Sequence, residues 1–170
     1  MSTAAPRIPE TEVWNWLAAV PDPEIPAVSV VDLGIVRGVR WDDAKLVVTV
    51  TPTYSGCPAT EVISESIRET LQQHGVDEAI VETQLSPAWT TDWMSPAARE
   101  KLRGYGIAPP AEQVIDASQI LRRSSPKLVV ACPLCGSTHT ECVSQFGSTP
   151  CKALYRCLAC REPFDYFKCH

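Results

Sequence analysis

Two cysteine pairs, Cys132-Pro-Leu-Cys135 and Cys157-Leu-Ala-Cys160, constrain this chain more than any other feature, because two such turns can hold one tetrahedral ion between four thiolates. Within each pair the second sulfur returns to the same side of the backbone as the first. The small Gly136 after the first pair lets backbone N–H groups approach the sulfurs. The 21 residues between the pairs, Gly136 to Arg156, suffice for a β-hairpin that brings one turn against the other.

This pattern predicts a zinc ribbon over residues 128–170. The Cys-Pro-Leu-Cys-Gly turn is also similar to those of rubredoxins, where four sulfurs hold a redox-active iron, and spacing alone leaves zinc and iron both open. Disulfides or idle buried thiols are the competing readings. The opening Met-Ser-Thr-Ala-Ala-Pro-Arg-Ile-Pro-Glu lacks the apolar stretch of a secretory signal, and no later segment approaches the length of a membrane span. A cytoplasmic protein is therefore expected, and eight cysteines in that compartment point to metal ligands or reactive thiols rather than disulfides. Cys142, Cys151 and Cys169 match no standard ligand spacing. With His139 or His170 they are either a second metal site or idle thiols.

The formal net charge of −5 argues against general affinity for nucleic acid or an acidic membrane surface. Residues 1–126 carry ten Lys/Arg against seventeen Asp/Glu, whereas residues 127–170 carry five against three. A slightly basic ribbon is thus joined to an acidic first domain.

That first domain, residues 1–108, reads as α+β, a small sheet with packed helices. Val13, Leu17 and Val20 fall at helical spacing from about Glu10 to Val20, with acidic residues in the first turn and Pro21 and Pro23 as the stop. Asp32 to Trp41 predicts a strand, Asp42 to Ala44 a turn, and Lys45 to Thr51, with its β-branched run, the partner strand. A helix is expected from about Pro58 to His74, burying Ile63, Ile67 and Leu71, with Pro58 opening it and Gly75 closing it. A third strand follows over Glu78 to Leu85, then an aromatic loop from Pro87 to Trp93. Ser95 is placed to cap a short helix from Pro96 to Arg103. From Gly104 the pattern loosens, and residues 109–127 read as a linker with one helical turn near Glu112 to Leu121. In the ribbon, Phe146, Tyr155, Phe164, Tyr166 and Phe167 are expected to supply apolar contacts, since a domain so short needs both metal and aromatics to hold together.

A second concentration of chemistry is Thr51-Pro-Thr-Tyr-Ser-Gly-Cys57-Pro58. A thiol just before a helix faces the positive end of the helix dipole, which favours thiolate, so Cys57 is a candidate nucleophile, persulfide carrier or metal ligand. A small buried side chain at a helix start is the plainer reading. Asp22-Pro-Glu24-Ile-Pro adds two carboxylates in a proline-fixed loop, an arrangement that also serves simply to stop a helix.

Together with Val31-Asp-Leu-Gly34 and the segment from Trp89 to Ser95, these motifs resemble the small iron–sulfur-cluster-assembly-like domain that includes SufT-like proteins, over about residues 10–108. The joining of that domain to a ribbon with Gln145-Phe-Gly-Ser-Thr-Pro-Cys151-Lys-Ala-Leu-Tyr-Arg-Cys157 and the ending Glu162-Pro-Phe-Asp-Tyr-Phe-Lys-Cys169-His170 is similar to the PaaD family, which belongs to phenylacetyl-CoA epoxidase systems. The resemblance implies a non-enzymatic accessory protein of phenylacetate catabolism, working beside a di-iron monooxygenase that epoxidises the ring of phenylacetyl-CoA. It implies help with inserting iron or an iron–sulfur cluster into the oxygenase or its iron–sulfur flavin reductase. It places the family's Asp-Pro-Glu motif on Asp22 and Glu24, its reactive cysteine on Cys57, and the zinc ligands on Cys132, Cys135, Cys157 and Cys160.

The residues themselves offer no other machinery. There is no glycine-rich phosphate loop, and His74, His139 and His170, without a Glu-x-x-His motif, do not build a carboxylate-bridged di-iron site. Two other roles compete with maturation: rubredoxin-like electron transfer, and a purely structural adaptor. A single Cys57 gives an incomplete shell for a cluster, so a homodimer sharing two Cys57 residues, or a client's own ligands, would complete it.

Overall fold

The structure, a computed structural model, describes residues 8–111 and 128–168. The chain divides into two compact units, the first ending at Ala98 and the second beginning at Arg99.

The first unit opens with helix α1 (Glu10–Leu17), whose Val13 and Leu17 are fully buried and whose first turn carries Glu10 and Glu12. The helix ends three residues before the expected Val20. The N–H groups of Ala19 and Val20 turn to the C=O groups of Trp16 and Leu17, and Pro21 then disfavours helical geometry at the residue before it. Strands β1 (Val36–Asp42) and β2 (Lys45–Val50) form the expected hairpin, with Asp42 paired to Lys45 across a two-residue turn. Asp43 takes the left-handed conformation that this turn needs, with φ of 50°. Helix α2 (Ala59–Gln73) buries Ile63, Ile67 and Leu71 along one stripe. It closes where Gly75, at φ of 83°, donates to the Gln72 C=O and Val76 donates to the Leu71 C=O. The chain then returns as β3 (Ala79–Thr83), parallel to β2, giving the order β1-β2-β3. The central β2 is buried on both faces, with Leu46, Val47, Val48 and Val50 at 1 % exposure or less.

The expected strand from Asp32 begins only at Val36. Ser29 and Asp32 explain the delay: the Ser29 N–H donates to Asp32 Oδ2 at 3.0 Å, and the Asp32 N–H donates to Ser29 Oγ at 3.0 Å. These side chains give the backbone an alternative to a ladder. Gly34 completes the turn at φ of 68°.

Helix α3 (Pro96–Gly104) carries the boundary between the units, and Ser95 caps it by accepting the Ala98 N–H at 3.0 Å. The second unit contains a four-stranded sheet in the order β4-β7-β6-β5, from β4 (Ile107–Ala108), β5 (Thr140–Ser144), β6 (Lys152–Cys157) and β7 (Pro163–Phe167). β4 runs parallel to β7, and the other pairings are antiparallel. Two residues are too few to show a periodicity, which is why β4 lay hidden in the loosened stretch. Most of the expected linker, with its helical turn, lies outside the described residues. Tyr155, Phe164, Tyr166 and Phe167 are buried as expected, whereas Phe146 is 67 % exposed and belongs to no core.

A Cβ on Gly34 would lie 2.5 Å from the Trp93 carbonyl oxygen and 2.7 Å from the Trp93 Cβ. Gly34→Ala is therefore expected to lower the urea midpoint of the first unit, since the left-handed placement alone costs an alanine about 1–2 kcal/mol and the overlap with backbone adds to it. Gly56→Ala is the control, because nothing lies within 4 Å of its added Cβ. Equal midpoints for the two variants would show that the Gly34 turn is not the constraint described.

Candidate metal centre and the Cys57 loop

Both cysteine turns in the second unit are closed by backbone. In the first, the Gly136 N–H donates to the Cys132 C=O at 2.9 Å and Gly136 sits at φ of 74°. In the second, Arg161 takes the equivalent position at φ of 67°, and the Cys157 N–H donates to the Glu162 C=O at 3.0 Å. β6 delivers Cys157 at its last residue, and the Leu158 N–H donates to the C=O of His139, the residue before β5, at 2.8 Å, tying the second turn to the start of that strand. Cys132 and Cys157 are buried in a cluster with Ala108, Val130, Ala153, Tyr155, Phe164 and Tyr166, and Cys160 packs against it. The Tyr155 and Tyr166 rings meet edge to face at 5.5 Å.

The four sulfurs all lie within 4.8 Å of one another, with Cys132 to Cys160 at 3.8 Å and Cys135 to Cys157 at 3.6 Å. Disulfide sulfurs would be about 2.05 Å apart. Zinc held tetrahedrally at about 2.3 Å from each thiolate needs sulfur separations of about 3.8 Å, so the donor set fits such an ion. Without a cation the charges conflict. Cys157 is pulled down to about 6, chiefly by the Cys160 N–H. The Glu162 N–H favours the Cys160 thiolate, yet burial and the neighbouring sulfurs leave Cys160 pushed up to about 12. A divalent ion removes that conflict.

Among the described residues this is the only group of three or more His, Cys, Asp or Glu side chains placed to share an ion. Cys142 is exposed on β5 opposite Tyr155, whose phenol is raised by burial and then by Cys142. Cys151 is buried with its sulfur 3.0 Å from Thr149 Oγ1. Cys169 and His170 lie outside the described residues.

In the first unit, the Asp32–Gly34 turn, Thr51 and the Trp89–Ser95 segment meet at one end of the three-stranded sheet, where β1 begins and β2 and β3 end. The Thr51 N–H donates to the Ile35 C=O, and the Gln84 N–H to the Val50 C=O. Ser95 donates through its N–H to the Asp32 C=O and through Oγ to Asp32 Oδ1 at 3.3 Å, while Trp89 Nε1 donates to the Leu33 C=O at 3.0 Å. Cys57 stands in the loop leaving β2, half-buried, donating through its N–H to the Tyr54 C=O and accepting the Thr60 N–H just before α2. Asp22 is 6 % exposed, and its Oδ1 accepts the N–H groups of Glu24 at 2.9 Å and Ile25 at 2.8 Å, so its carboxylate shapes the turn. Glu24 is half-buried. The sequence reading missed the Ser29–Asp32 exchange and the stacking of Arg37, the bulged residue of β1, at 3.6 Å over the Trp93 ring. The spacing Ser29-x-x-Asp32 was the one available signal for the first.

Fold and site together define an iron–sulfur-assembly-type α+β domain joined to a four-cysteine zinc-ribbon domain. The family model described as an iron-sulfur cluster assembly protein matches residues 10–81, and that of the PaaD zinc beta ribbon domain matches residues 116–168. A protein of Escherichia coli (strain K12), provisionally named as the D component of 1,2-phenylacetyl-CoA epoxidase, is 54 % identical over 158 residues, covering 93 % of this chain and 92 % of its own. The chain belongs to this PaaD family of epoxidase subunits. A protein of Porphyromonas gingivalis named Fe-S protein maturation auxiliary factor is 36 % identical over 95 residues, 55 % of this chain and 90 % of its own. The crystal structure of a domain of unknown function, DUF59, from Bacillus anthracis matches with a TM-score of 0.51 at 33 % identity, covering 55 % of this chain and 90 % of that one. No helix among the described residues is long and apolar enough to cross a membrane.

Coordination by four thiolates requires Cys160, a thiol at neutral pH without metal, to lose its proton. Zinc uptake should therefore release protons, and the apparent affinity should rise with pH through the neutral range, by about tenfold per pH unit for each proton released. Chelator competition at pH 6.5 and 7.5 checks this. Affinity independent of pH would mean that the sulfurs are not the ligands.

Proposed function

We propose that this chain is a non-catalytic maturation subunit of the phenylacetyl-CoA epoxidase, assisting the insertion of iron or an iron–sulfur cluster into the oxygenase or reductase component. Zinc in the ribbon, bound by Cys132, Cys135, Cys157 and Cys160, is structural in this reading. Cys57 is a transient ligand for the iron or cluster, which is cargo rather than a resident cofactor. Asp22 and Glu24 assist the transfer, Asp22 by holding its turn and Glu24 by offering a carboxylate.

The observation that carries the reading is the position of Cys57: a half-buried thiol in the loop between β2 and α2, leaving the sheet end where the Asp32–Gly34 turn meets the Trp89–Ser95 segment. A thiol used for transfer must be reachable yet shielded from indiscriminate oxidation. The name of the maturation-factor relative supports the same reading for the first unit. The Cys57 sulfur alone does not complete a cluster shell, so the client's own ligands, or a second copy of the chain, must supply the rest.

Co-expression of Cys57→Ser with the oxygenase and reductase components should yield components deficient in iron or cluster, measured as metal per polypeptide, while the variant keeps the thermal stability of the native chain. Components with a full metal complement made beside Cys57→Ser would contradict the maturation role.

A further inference from the structure

Phe146 lies in the turn joining β5 to β6 and is the most exposed large apolar side chain described, at 67 %. Burying such a ring stabilises a fold by about 1.5–3 kcal/mol, a contribution that this fold forgoes at Phe146. The turn is not loose. Ser144 Oγ donates to the Phe146 C=O at 2.8 Å and accepts the Phe146 N–H at 3.2 Å. The Gly147 N–H donates to the Lys152 C=O at 2.8 Å, and any Cβ on Gly147 would lie 2.9 Å from Asp165 Oδ1. Next to it, Lys152 and Asp165 form an ion pair at 3.4 Å with side chains only 7 % and 26 % exposed. Lys168, just past β7, reaches back so that its Nζ lies 4.7 Å from the Phe146 ring centroid and donates to the Gln145 C=O at 3.3 Å. The ring is thus held out from the fold by a serine turn, close packing of Gly147 against Asp165 and a largely buried ion pair.

We propose that Phe146 and Lys168 form a preformed anchor for a partner protein, the ring entering an apolar pocket and the ammonium meeting a carboxylate on its rim. A rigid aromatic beside a cation loses little freedom on docking, which is how a few residues come to dominate an interface. Charge identifies the occupant's chemistry. Among the described residues Lys168 touches a carbonyl and a π face and no carboxylate, so a partner's carboxylate can meet it without displacing an internal ion pair. A second copy is a poor occupant, because a two-fold contact through a protruding ring would set two Lys168 ammonium groups against each other. Membership of a family of epoxidase subunits supplies the class of partner, another epoxidase component. The inference rests on that membership and not on Cys57 chemistry.

Calorimetric titration of the full metal-loaded chain with the purified oxygenase component, and separately with the reductase component, tests it. One component should bind. Phe146→Ala should weaken that binding by at least about tenfold with melting temperature and metal content unchanged. Lys168→Ala should weaken it less and flatten its dependence on salt. Cys57→Ser should bind like the native chain, which separates this inference from the maturation role. The proposal is overturned if neither component binds, if Phe146→Ala binds as well as the native chain, or if the native chain self-associates and Phe146→Ala alone abolishes that.

Discussion

Four sulfurs facing one another across two turns dominate the energetics of the second unit, because they cannot all ionise without a cation between them. The strands that deliver them are short: β4 has two residues and β5, β6 and β7 have five or six. A core of this size lies near the limit of what burial alone can hold, and an ion held by the four sulfurs would act as the cross-link that closes it. Cys132 and Cys157 face this core, while Cys135 stands exposed. The metal shell is therefore both part of the packing and partly open to water, and the aromatic contacts of Tyr155 with Phe164 and Tyr166 continue from it into the sheet.

In the first unit the comparable role falls to a polar stitch. Asp32 accepts from Ser29 and Ser95, the Leu33 C=O accepts from buried Trp89, and Gly34 brings its backbone against Trp93. These contacts join segments about sixty residues apart in sequence and fix the sheet end from which the Cys57 loop departs. The Cys57 loop is short, and the neighbouring segments are tied by hydrogen bonds. That division, a rigid frame beneath a loop with a half-buried thiol, is one that the proposed cargo-carrying role would use.

Much of this was legible in the sequence. The paired cysteine spacing pointed to the metal centre because four ligands at fixed offsets leave few geometries, and the stripe Ile63, Ile67 and Leu71 pointed to α2 because a 3.6-residue period has one buried face. The closure at Gly75 and the cap at Ser95 were readable for the same local reason. The start of β1 was not, since Ser29 and Asp32 divert the backbone through side-chain bonds that hydrophobic pattern cannot register. Nor was β4, whose two residues gain their meaning only from β7, 58 residues on, where Ile107 pairs with Asp165. Phe146 misled the sequence reading because an aromatic in a small domain is ordinarily core, and only the built turn shows that it faces outward. Cys57 was readable as a helix-leading thiol, while its half-buried setting came from tertiary packing.

The claim on which the account depends most is that one zinc ion closes the ribbon through four cysteine thiolates. X-ray absorption at the metal edge of the purified native chain, with the metal quantified per polypeptide, tests it directly. The account predicts one zinc per chain in a shell of four sulfurs at about 2.3 Å. Iron at one equivalent in that shell, a shell containing nitrogen or oxygen in place of a sulfur, or a folded ribbon holding no metal would contradict it.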